Sequence, residues 1–257
     1  MTVGGGVKSL AITTGLYRQV RWLSRRLRRA QLLSHVRQVE FYRSLVPQGC
    51  LCFDVGANIG EKSEAMLKAG LRVVAFEPNP LVLPELRARL EREKDWTLVV
   101  AAVGSQAAVL TLHAARDHGK TSLSTNIRQE IVARFHVPVI TLDSAIAAFD
   151  QAFFCKIDVE GWETEVMRGL TRPLPLISFE FHLNDPGIAD TLGCLAHLQA
   201  LGQWSVNICP AESSYFFLPE WEPLERFAAW FPGDLATSLP VDTYGDIFVK
   251  HLAARLG

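Results

Sequence analysis

The chain has 257 residues, 49% of them apolar, with 26 Lys and Arg against 27 Asp and Glu. That length and apolar share fit one large α/β domain around a single core better than two domains. A net charge of −1 gives no whole-chain reason to expect a nucleic-acid partner.

The charge is unevenly spread. Residues 1–46 carry nine basic side chains and one acid, Glu40, whereas the remainder carries 17 basic and 26 acidic side chains. After the glycines at 4 to 6, Leu16, Val20, Leu23, Leu27 and Ala30 recur at helical spacing and predict an apolar stripe. Arg18, Arg21, Arg25, Arg26, Arg28 and Arg29 surround it. Residues 1–46 are therefore expected to form a basic helical extension. Its arginines either stay solvated on a packed helix or touch an acidic partner or an anionic membrane surface.

From Cys50 the pattern changes to short β-rich runs alternating with helical stretches, as in parallel βαβ units, and residues 47–257 are expected to form one body. Strands are predicted at LCFDVGA, RVVAFEP, WTLVVAAVG, AFFCKIDV and PLISFEFH, with a late strand at YGDIFVKH. VLTLHAA and VPVITLD are expected to be extra strands or a flap, and the polar TSLSTN between them is a candidate lid. Helices are expected over 61–69, 81–93, 162–169 and 188–201. The five cysteines, Cys50, Cys52, Cys155, Cys194 and Cys209, contain no CxxC pair, which argues against a disulfide framework or thiolate zinc site and fits a reducing cytoplasm. No apolar run approaches the roughly 18 residues of a membrane span, and the opening residues do not form an export signal, so a cytoplasmic protein, at most peripheral to a membrane, is expected.

The run FDVGANIGEKS looks like a phosphate-cradling turn, but Asn58 replaces the second glycine of the dinucleotide fingerprint GxGxxG. A side chain there disfavours close pyrophosphate packing, and Asp54 at the end of the strand would repel a diphosphate. An acid suits instead a ligand with an ammonium or a sulfonium, and S-adenosylmethionine has both. Glu77 ends the second strand, where a carboxylate can accept from both ribose hydroxyls. AAVGS, with Ala102 and Val103, offers small residues on which an adenine could lie flat.

In KIDVEGWE, Asp158 and Glu160 would share a face if the strand stays extended, and in LISFEFH so would Glu180 and His182. These four are the candidate catalytic residues. They could supply a general base with its orienting partners, ligate a divalent metal through Asp158, Glu180 and His182, or form a solvated rim.

FDVGANIG, FEPNP, TLDS, KIDVEGWE and MRGL together resemble the successive motifs of the FkbM family of S-adenosylmethionine-dependent methyltransferases, over roughly 50–182. The resemblance implies a class I, Rossmann-like fold: a mostly parallel seven-stranded sheet with helices on both faces and an antiparallel last strand. It implies O-methylation of a hydroxyl on a small molecule, such as a natural product, on a sugar or glycan, or on a lipid. It places Gly56, Asn58 and Gly60 around the methionine part of the donor and Glu77 on its ribose. Phe53, Asp54, Ala57, Pro78, Ala102, Val103 and Asp158 complete the expected donor set. The alternatives are a nicotinamide oxidoreductase, which shares the βαβ unit and Glu77, and a binding module that kept the fold without the chemistry.

Overall fold

Strand β1 (Leu51–Val55) is buried at all five positions, as befits a strand covered on both faces. It pairs in parallel with β2 (Arg72–Phe76) on one side and β7 (Phe154–Ile157) on the other. The computed structural model describes residues 32–116, 121–123, 130–211, 213–235 and 243–253. The predicted stripe from Leu16 to Ala30 lies outside them.

Beyond β2 comes β3 (Trp96–Val99), and beyond β7 comes β8 (Leu176–His182), all parallel. β11 (Tyr244–His251) then runs antiparallel between β8 and β9 (Trp204–Pro210). β10 (Glu222–Pro223), a two-residue edge, makes the sheet eight-stranded instead of seven. A proline is tolerated at such an edge because no further strand needs its missing N–H.

Alternate residues of the central strands feed two apolar layers. Cys52, Phe154 and Phe248 pack with Val39 and Tyr42 of α1 (32–45), Met66 of α2 (Glu61–Lys68), and Leu86 and Leu90 of α3 (Leu83–Leu90). Phe53, Ile177 and Ile247 face the other layer. It contains Leu142 of α4 (Leu142–Phe149), Val166 of α5 (Glu163–Arg168), Leu195 of α6 (Asp185–Leu201) and Phe227 of α7 (Leu224–Trp230). The fold is thus the α/β, mostly parallel sheet that the motif order implied, with helices on both faces.

The run WTLVVAAVG does not form one strand. It divides between β3 and β4 (Ala102–Val103), and β4 belongs to a second sheet with β6 (Ile131–Ile140) and β5 (Ala108–Ala115). β5 and β6 are antiparallel, so the expected flap is a hairpin packed through Leu112, Val137 and Val139. VPVITLD likewise ends as a strand at Ile140. Thr141 then caps α4, its hydroxyl accepting from Ser144 N–H while the Ser144 hydroxyl accepts from Thr141 N–H. Among the described residues, no helix is long and apolar enough to cross a membrane.

Candidate active site

A cleft of about 630 Å³ opens at the carboxyl ends of β1, β2, β7 and β8, the edge at which open α/β sheets hold ligands. Gly56, Ala57 and Asn58 form one wall with Glu77 and Pro78, and Ala102 and Val103 line it as well. Gly56 is required sterically. Its φ is +84°, and a Cβ there would stand 1.8 Å from the Asp158 carbonyl oxygen. Asn58 and Gly60 also adopt positive φ, at 50° and 82°, conformations that Asn and Gly tolerate best. Gly60 is the N-cap of α2 and, unlike Ile59 and Glu61, does not line the cleft.

Glu77 is 6% exposed. Its Oε2 accepts the Asn58 N–H at 2.7 Å and its Oε1 accepts the Asn79 N–H at 2.7 Å. Burial nevertheless pushes its carboxyl up to about 7. Each oxygen retains acceptor capacity toward the cleft.

Phe53 and Asp54 lie beneath the cleft instead of in its wall. Phe53 is fully buried and meets Phe76 edge-on, with ring centroids 5.4 Å apart. Asp54 is 1% exposed, and its Oδ2 accepts from the Ser63 hydroxyl at 2.6 Å. Burial raises its carboxyl, against the opposing pull of Lys156 and Ser63. An acid expected to face the ligand thus ties β1 to α2.

Lys156 was not among the residues singled out from sequence. It is 2% exposed, in register with Asp54 on the neighbouring strand, and its Nζ donates to Asp158 Oδ2 at 2.7 Å. Burial opposes its charge, but Asp158, Asp246 and Asp54 hold the ammonium well above its ordinary value. Burial pushes the Asp158 carboxyl up, yet the Lys156 ammonium prevails and keeps it below the usual range. The available signal was one lysine inside the apolar run FFCKI.

β7 ends at Ile157, so strand alternation does not place Glu160, which sits in a turn at φ 55°. Glu163, also unforeseen, shapes that turn by accepting the Val159 and Gly161 N–H groups at 3.0 Å each. The turn still delivers Glu160 to Glu180 and His182: one ligand atom from each of the three lies within 4.8 Å of the others. Burial and the nearby Glu180 push Glu160 up to about 8 and Glu163 up to about 7. Glu180 and His182 share the cleft side of β8, while Phe179 and Phe181 point into the core. Their closest atoms, His182 Nε2 and Glu180 Oε2, are 3.3 Å apart. The Glu180 carboxylate raises His182, and burial raises Glu180. Asp158 stands with Lys156 and is absent from the trio.

Thr121, Ser122 and Leu123 also line the cleft, the Ser122 hydroxyl donating to the Val159 carbonyl at 3.4 Å, and Tyr244 lines it beside His182. The rest of TSLSTN lies outside the described residues.

A family model described as the methyltransferase FkbM domain matches residues 54–203. No curated protein matches the chain. Among solved structures, the chain is similar to precorrin-6Y C5,15-methyltransferase from Geobacter metallireducens, at 13% identity and a TM-score of 0.46, covering 84% of this chain and 88% of that one. It is similar to a TehB-like SAM-dependent methyltransferase from Corynebacterium glutamicum, at 12% identity and 0.42, over 88% and 97%. It is also similar to Aeropyrum pernix fibrillarin with bound S-adenosyl-L-methionine, at 9% and 0.42, over 79% and 66%.

Proposed function

The chain belongs to the FkbM methyltransferase family, and on that premise we propose that it transfers the methyl group of S-adenosylmethionine to a hydroxyl of a natural product, sugar or lipid. One observation carries the proposal. A single cleft joins a wall suited to a nucleoside with a cationic tail, built from Gly56 to Asn58, Glu77, Ala102 and Val103, to a second wall bearing Glu160, Glu180 and His182.

On this reading the Glu77 oxygens accept from the ribose hydroxyls. Asp158, kept ionised by Lys156, faces the positive end of the donor. The acceptor hydroxyl lies on the Glu180 side, in line with the methyl–sulfur bond. The new O–CH₃ bond forms as the S–CH₃ bond breaks, S-adenosylhomocysteine leaves, and the hydroxyl proton passes to Glu180. Alignment of this kind supplies roughly 7–11 kcal/mol of the barrier reduction, and a positioned base about 10²–10⁴-fold. A buried carboxyl raised from its ordinary value, as Glu180 is, is a better proton acceptor than an exposed one.

Thermal shift with S-adenosylhomocysteine against NADH tests the donor assignment, because only a ligand of the folded state raises its stability. Stabilisation by NADH alone would transfer the chain to nicotinamide chemistry. Mass spectrometry of a hydroxylated metabolite panel tests the acceptor class. Once a substrate is found, Glu180→Gln is expected to lower turnover about 10²-fold or more with little change in donor affinity, and unchanged turnover would remove Glu180 as the base.

A further inference from the structure

We propose that Glu160, Glu180 and His182 bind a divalent cation of the Mn²⁺ class at the acceptor end of the cleft. What that cation does rests on the methyl-transfer reading above; that it binds does not.

Three observations converge. Two carboxylates and an imidazole, from a turn and a strand distant in sequence, bring one ligand atom each within 4.8 Å of one another. Ligands bound at about 2.1 Å and at right angles around one ion stand about 3 Å apart, close to the 3.3 Å between His182 Nε2 and Glu180 Oε2. Second, Glu180 Oε2 is buried and meets no donor in good hydrogen-bond geometry, its polar neighbour being His182 Nε2 at the ion-pair distance of 3.3 Å, although a buried carboxylate oxygen is ordinarily fully satisfied. Third, acids predominate around it, with Lys156 and His182 the cationic groups that act on it. Glu160 meets Glu180, Asp158 and Glu163, and among the described residues no Lys or Arg is ion-paired with Glu160 or Glu180. The nearby ammonium, Lys156, is paired with Asp158, and Glu163 is held by backbone N–H groups. A dication would bind that oxygen and neutralise the Glu160 and Glu180 carboxylates together.

The ligand set differs from the one expected from sequence. Glu160 takes the place of Asp158, because Asp158 is turned to Lys156. The imidazole favours a first-row transition ion over Ca²⁺ or Mg²⁺, and the two carboxylates favour Mn²⁺, the member of that row that most prefers oxygen. All three side chains line the cleft, so positions on the ion remain open to an acceptor hydroxyl. Such an ion would supply Lewis-acid polarisation of an acceptor hydroxyl, as metal ions do for bound water.

The test uses the full chain, stripped with EDTA and titrated with Mn²⁺ while the electron paramagnetic resonance signal of the free ion is followed. Saturable binding of one Mn²⁺ per chain is expected, weakened at least tenfold in Glu160→Gln and in His182→Ala. Retained stabilisation of both variants by S-adenosylhomocysteine shows that fold and donor site are intact. No saturable binding by the wild type, or equal binding by both variants, overturns the cation site. In that event the methyl-transfer reading stands as long as S-adenosylhomocysteine binds; failure of that ligand would sink the methyl-transfer reading and leave the Mn²⁺ titration valid.

Discussion

Gly56→Ala should damage the protein in two separable ways. At φ +84° an alanine is left-handed, which costs about 1–2 kcal/mol. Its Cβ would also fall 1.8 Å from the Asp158 carbonyl oxygen, 2.8 Å from the carbonyl carbon and 3.2 Å from Val159 Cγ1. Two of these neighbours are backbone, and the Asp158 N–H is bonded to the Val55 carbonyl at 2.9 Å. Relief therefore requires prying apart the ends of β1 and β7, an overpacking cost of about 1–3 kcal/mol or more. The total of roughly 2–5 kcal/mol corresponds to a Tm lowered by about 4–20 °C for a domain of this size. Gly49→Ala is the control: its φ is +79° and nothing lies within 4 Å of the added carbon, so it carries the strain without the clash. Differential scanning fluorimetry compares the two, and calorimetry with S-adenosylhomocysteine reads the donor site, which Gly56→Ala should weaken and Gly49→Ala should spare. Equal Tm values for the two variants would refute the close approach of the two turns.

Lys156→Met removes the ammonium beside buried Asp54 and half-buried Asp158, and a loss of about 1–3 kcal/mol is expected from leaving those carboxylates without it. Adding Asp158→Asn should recover part of it in denaturant melts, and strict additivity would deny the coupling. Thr141→Ala removes the cap of α4 and should cost about 1 kcal/mol without changing donor affinity. The pH dependence has a definite sign. Burial raises Glu77 and Glu163 from 4.5 to about 7, so the folded state holds those protons more tightly than the unfolded chain. The associated stability is fully present below about pH 4.5 and lost as pH rises through 7. The Tm of the ligand-free protein should therefore fall between pH 5 and 8, with a shallower fall in Glu163→Gln; a flat wild-type profile would contradict the burial of these carboxyls.

The sequence alone determined the order of βαβ units, the glycine turn, the strand-end position of Glu77 and the shared face of Glu180 and His182. Each of these follows from local periodicity or turn chemistry, which a few neighbouring residues dictate. It did not determine that WTLVVAAVG serves two sheets, because a continuous apolar run contains no mark of which partner each half will pair with. Nor did it determine where the charges settle. Asp54 and Lys156 lie side by side only because β1 and β7 are neighbours in the sheet, and that pairing turns Asp54 inward and commits Lys156 to Asp158. Glu160 reaches Glu180 and His182 through a turn held by Glu163, not by strand alternation. Coulomb forces and burial depend on distances between segments far apart along the chain, so only the assembled sheet could decide which acids are neutralised and which are left facing the cleft.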